Sequence, residues 1–146
     1  MKTLLYLLSL IGLVVALTGC TTFVDYANMT RGSVAVGAAI AVEIWQEFDL
    51  AKQQKILADS PTRETYEKQI AAYRDGEQAR FTKAFKALRH ALAHLTAALR
   101  AYEAGSGKKP DVETTLREVY TCAAELIAAM QAAGVKIDYT KIFGGG

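Results

Sequence analysis

The chain is poor in proline, cysteine, histidine and tryptophan, with two, two, two and one residue respectively among 146. Both prolines, Pro61 and Pro110, fall where a helix is expected to begin, so no ring interrupts the long stretch between them. Two cysteines, Cys20 and Cys122, are too few for a disulfide framework. Neither Cys-x-x-Cys nor Cys-x-x-Cys-His occurs, which removes the usual signatures of dithiol redox chemistry and haem attachment. Charge of neither sign dominates, with 17 Lys and Arg against 15 Asp and Glu, and a strongly basic nucleic-acid binder would look different. There is no Gly-rich phosphate loop, no Ser/His/Asp ordering and no isolated pair of carboxylates. The expectation is a protein that is not an enzyme and takes no dissociable cofactor.

What is present is concentrated at the start. Lys2 precedes an uncharged, mostly aliphatic stretch from Leu4 to Leu17, followed by the small residues Thr18 and Gly19 and then Cys20. A positive n-region, a short apolar core and small residues before a cut are the parts of an export signal. The stretch is shorter than the roughly 20 residues that a spanning helix needs.

Leu17-Thr18-Gly19-Cys20 resembles the lipobox of bacterial lipoprotein precursors. The resemblance covers residues 1–20. It implies cleavage before Cys20, a diacylglycerol on the sulfur and usually a further acyl chain, such as palmitate, on the new amine. Thr21, rather than Asp, follows the cysteine, which in the family favours the periplasmic face of the outer membrane over inner-membrane retention. Two or more acyl chains anchor stably where one holds only marginally. With lipid on Cys20, Cys122 becomes a lone thiol, expected to be a small buried residue or, less favoured, an intermolecular disulfide partner.

The body reads as all-α. Residues 20–31 are expected to be a short tether, 32–57 a first helix, 62–103 a long second helix and 111–133 a third, with 138–146 a C-terminal tail. The first helix has Val34, Ala38, Ala41, Trp45, Phe48 and Ile56 mostly three or four apart. Its segment Val34 to Val42 has no polar side chain, and Ser33, Gly37 and Ala41 form a smooth strip for close approach of another helix. A strand over Val34 to Val42 is the less favoured alternative. Ser60 is the expected N-cap of the second helix, with Pro61 at its first position.

From Phe85 through Leu88, Leu92, Leu95, Leu99 and Tyr102 the second helix carries a regular apolar seam. Between Tyr73 and Phe81 the step widens around Asp75-Gly76, which predicts either a stutter in a continuous helix, bent or straight, the favoured reading, or a break into two helices. Asp111 is the expected N-cap of the third helix and Gly134 its stop. Val112, Leu116, Val119, Ala123, Leu126, Met130 and Ala133 supply its stripe. Short connections and opposite charge on the second and third helices predict an antiparallel three-helix bundle with one long central helix. The last helix, Val112 to Ile137, with Cys122 and Ala132 to Ile137, also resembles small helical proteins of unknown function in bacterial and phage genomes.

Arg80, Lys83, Lys86, Arg89 and Arg100 form the leading candidate surface, a basic amphipathic helix of the kind that meets anionic lipid or an acidic envelope protein. The bland reading is a solvated face neutralised by acids of the neighbouring helices. His90 and His94 have the i, i+4 spacing of two metal ligands, but neither the metalloprotease Glu nor a third ligand is evident. Trp45, Phe48, Phe81 and Phe85 are expected in the core rather than around a ligand. The functional expectation is a lipid-anchored interaction or structural module of the cell envelope. One alternative is a phage-encoded lipoprotein that blocks a receptor or secretion port. The other is a small-ligand or metal-binding bundle, which needs a cavity.

Overall fold

The computed structural model describes residues 22–137, and these are all-α with no strand among them. The expected export signal, Cys20 and the tail from Asp138 lie outside the described residues. The helices are α1 (Phe23–Asp59), α2 (Arg63–Tyr73), α3 (Ala79–Glu103) and α4 (Lys109–Ala132), with a π-helical turn (Arg74–Gln78) joining α2 to α3. None is long and apolar enough to cross a membrane.

The expected tether is helix from Phe23 onward, which corrects the first helix's start at residue 32. Thr22 caps α1: its hydroxyl accepts from the Asp25 amide at 3.1 Å, and Asp25 sits in the positive first turn. The added turns are held by packing. Ala27 and Thr30 are buried, and the Tyr26 and Tyr120 hydroxyls share a 2.7 Å hydrogen bond between α1 and α4. Val34 to Val42 is helical, so the strand alternative falls. Ala38 and Ala41 enter the core, whereas Val36 faces out at 60% exposure and Ser33 is exposed. Only part of the strip is therefore available to a further helix.

Ser60 does not cap the second helix. It ends α1, its hydroxyl donating to the Ile56 carbonyl at 2.6 Å, while Thr62 takes the N-cap by accepting from the Thr65 amide at 3.2 Å. Asp111 likewise is not an N-cap. Lys108 holds that position, and Asp111 reaches back from the first turn to accept the Lys108 amide at 3.2 Å. Pro110 is tolerated there because the first turn has no intrahelical partner for its amide anyway. Gly134, with φ of 93°, is the expected stop of α4, and Val135 folds back into the core.

The helical path is unbroken from Arg63 to Glu103, and the expected stutter is a π turn. The Ala79 amide donates to the Arg74 carbonyl, five residues back. An α-helix makes two turns in about 7.2 residues, so a wide turn that inserts one residue returns the stripe to phase after about eight. Tyr73 and Phe81 are thereby both buried toward α1.

Paired contacts fix how the helices lie. Phe23 meets Tyr102, Trp45 stacks on Phe81, and Ile56 shares a cluster with Ile70. The main core joins α1, α3 and α4 through buried Trp45, Phe81, Leu88, Leu95, Leu99, Val119, Leu126 and Met130. Burial of each large apolar side chain stabilises by roughly 1.5–3 kcal/mol. Beyond the reach of α4, α1 and α2 pair alone over a separate small cluster of Ile56, Ile70, Tyr73 and Tyr66.

Candidate basic face and the π-turn cluster

Inside the π turn, polar groups converge on one carboxylate. Asp49 Oδ1 accepts from the Tyr73 hydroxyl at 2.6 Å and from Gln78 Nε2 at 3.4 Å, and Oδ2 accepts from Gln53 at 2.9 Å. Burial, then the Asp49 hydrogen bond and the nearby acids, raises the Tyr73 pKa above the ordinary tyrosine range. Lys52 stands 3.5 Å from Glu77 Oε2 and 6.0 Å from the centre of the Tyr73 ring. Glu77 Oε2 has no hydrogen-bond partner, so this ion pair is its compensation. Both side chains are one-third exposed, and such a pair is worth at most about 1 kcal/mol. The cluster joins α1 to the wide turn.

On the outer side, the turn opens into a shallow hollow of about 460 Å³ lined by Arg74, Gln78, Ala79, Thr82, Lys83 and Lys86. Every lining residue comes from the same helical rod, so this is a surface groove. Lys83 and Lys86 belong to the predicted basic set. Arg74 does not, and the π turn is what brings it into the groove. The signal that could have found it was the widened Tyr73-to-Phe81 step.

Arg80, Lys83, Lys86, Arg89 and Arg100 are all exposed, and none makes an ion pair among the described residues. No acid of a neighbouring helix stands within ion-pair distance of them among the described residues. They do not form one cluster. Arg100 lies about 16 Å along the axis from Arg89. Charge is segregated by helix. α3 carries these five bases against Glu103. α4 carries Asp111, Glu113, Glu118 and Glu125 against Lys109 and Arg117, and α1 carries Asp25, Glu43, Glu47, Asp49 and Asp59 against Arg31, Lys52 and Lys55.

His90 and His94 are both exposed. His94 Nδ1 lies 3.6 Å from Glu118 Oε2, but no group of three metal-ligating side chains exists among the described residues. Cys122 is half-buried on α4, and burial, helped by Glu125 and Glu118, raises its pKa, which disfavours the reactive thiolate. Trp45, Phe48, Phe81 and Phe85 form a continuous aromatic run in or against the core, with Trp45 and Phe81 stacked at 4.2 Å.

Fold and surface together define a helical-bundle protein whose long rod bears an unpaired basic outer face. No family model, curated protein or solved structure matches the chain.

Proposed function

We propose that this is a lipid-anchored, non-enzymatic module of the bacterial envelope, held at the membrane through acylated Cys20 and acting by binding. We take its body as an antiparallel three-helix bundle. The contact series Phe23–Tyr102, Trp45–Phe81 and Ile56–Ile70, which rises along α1 while falling along the rod, supports that arrangement. The observation that carries the functional reading is the joint position of the lipobox and the helix start. Only Thr21 and Thr22 separate Cys20 from Phe23. Three residue steps reach at most about 11 Å, so an anchor at Cys20 would keep the bundle against a bilayer. The unpaired bases of α3 are the binding surface in this reading, for anionic lipid or an acidic envelope protein.

Labelling cells with palmitate tests it. The wild type takes up label and Cys20→Ala does not; an unlabelled wild type defeats the anchor and the placement that depends on it. The periplasmic face of the outer membrane is the favoured site because Thr21 follows Cys20. A phage origin for the same body would be read from gene neighbourhood. No observation favours the small-ligand reading, since the groove at the π turn is open and its walls come from one helical rod.

A further inference from the structure

We infer that the outer face of α3 docks on an anionic bilayer, so that the bundle lies along the membrane instead of standing on its anchored end. The inference rests on the lipid-anchor reading above and adds an orientation and a lipid chemistry to it.

Position along the axis decides between the two poses. The start of α1 is level with the end of α3, because Phe23 meets Tyr102 at 6.1 Å between ring centres. At 1.5 Å per residue, Lys86 and Lys83 then lie about 24 and 28 Å from the anchored end, and Arg74 about 42 Å. Surface potential decays over about 8–10 Å at ordinary ionic strength. In a standing bundle these bases would sit outside the field of the headgroups. In a lying bundle they all enter it, and each base held near an anionic leaflet strengthens association about fivefold.

The face suits a lipid surface better than a protein. Protein interfaces draw most of their affinity from a few Trp, Tyr and Arg side chains buried in well-packed pockets, and this face has no exposed Trp or Tyr. The exposed large apolar side chains Val36, Leu50 and Leu57 are all on α1, and none is on this face. What α3 presents is unpaired Lys83, Lys86 and Arg89 with the Arg74 groove beyond them. Glu118 and Glu125 stand on neighbouring α4, Glu118 beside His94. α1 and α4 carry excess acid, so no other side of the main bundle would be drawn to the same surface. Docking is electrostatic and reversible by salt.

The test uses the full lipidated protein carrying Cys122→Ser and Asp59→Cys, with a donor dye on residue 59 at the hairpin tip and an acceptor in the bilayer. Acylated Cys20 does not react with the dye. A second labelled thiol, or protein that fails to enter vesicles, reports failure of the anchor reading separately. In phosphatidylcholine vesicles the tip should stand up to about 55 Å from the surface, the length of the 37-residue α1. In phosphatidylglycerol-rich vesicles it should approach to within about 20 Å. About 0.5 M salt, which cuts screening to a few ångströms, should raise it again, as should Lys83→Glu with Lys86→Glu. A vesicle-bound protein whose tip distance ignores lipid charge, or approaches both lipids and ignores salt, overturns the docking and leaves the anchor standing.

Discussion

The Tyr73 hydroxyl donates to Asp49 Oδ1 at 2.6 Å, joining α1 to the residue that immediately precedes the π turn. The same carboxylate accepts from Gln53 and Gln78, so three side chains depend on one residue. Asp49→Ala leaves them without an acceptor in a half-buried site and should cost about 1–3 kcal/mol. Tyr73→Phe, which removes a single bond and keeps the ring, should cost about 1 kcal/mol. Urea unfolding of the two variants checks both the size and the order.

Alkali should unfold the bundle through buried Tyr73 and half-buried Tyr120. Burial is the main cause that raises both Tyr73 and Tyr120 above the ordinary value near 10. A raised folded pKa means that the folded state holds its proton longer than the unfolded chain. The stabilisation is therefore fully present below about pH 10 and is lost as pH rises beyond that. Absorbance near the phenolate band should show part of the tyrosine ionising only together with loss of helix. Tyr73→Phe and Tyr120→Phe should each flatten the alkaline fall in stability.

The π turn makes an unusual prediction about deletion. It inserts one residue between Tyr73 and Phe81, and Gly76 within it contacts no neighbour at its Cβ position. Deleting Gly76 restores an ordinary α step of seven and removes a residue that costs about 1 kcal/mol in a helix. Net stability should change by about 1 kcal/mol or less. Deleting Ala84 instead rotates half of the rod by about 100° against α1 or α4 and should prevent folding. Thermal melts of the two deletions distinguish a wide turn from an ordinary stretch of helix.

Packing predictions concern Leu95 and Gly107. Leu95 is fully buried between helices, so Leu95→Ala should cost about 2–5 kcal/mol. A Cβ on Gly107 would stand 2.8 Å from the Tyr102 amide nitrogen and 2.9 Å from the Ala101 carbonyl carbon. These are backbone atoms that cannot step aside, so Gly107→Ala should cost about 1–3 kcal/mol through displacement of the α3–α4 loop. Urea midpoints measure both.

The long periodic stripes were legible without coordinates. Phe85 to Tyr102 and Val112 to Ala133 repeat at helical spacing, and those segments form α3 and most of α4. The first turns of α1 were missed because Phe23 to Thr30 mixes aromatic and polar residues without a periodic run. Their signal was local: Thr22 followed three residues later by Asp25, a capping pattern. At Asp75-Gly76 the widened step marked an irregularity, but spacing alone does not separate a stutter from an inserted residue. That choice depends on the Arg74 carbonyl accepting from Ala79. The bases of α3 could be named in advance, whereas their lack of partners is a fact of three dimensions. Glu118 turns to His94, and Lys52 rather than any α3 base meets Glu77.

The most direct test of the central claim is the intact mass of the protein extracted from the membrane fraction of the cells that make it. If Cys20 is the anchor, the mature chain begins at Cys20, lacks residues 1–19 and carries the added mass of a diacylglycerol with or without a further acyl chain. A membrane-extracted chain that retains Met1, or begins elsewhere with unmodified Cys20, would contradict it.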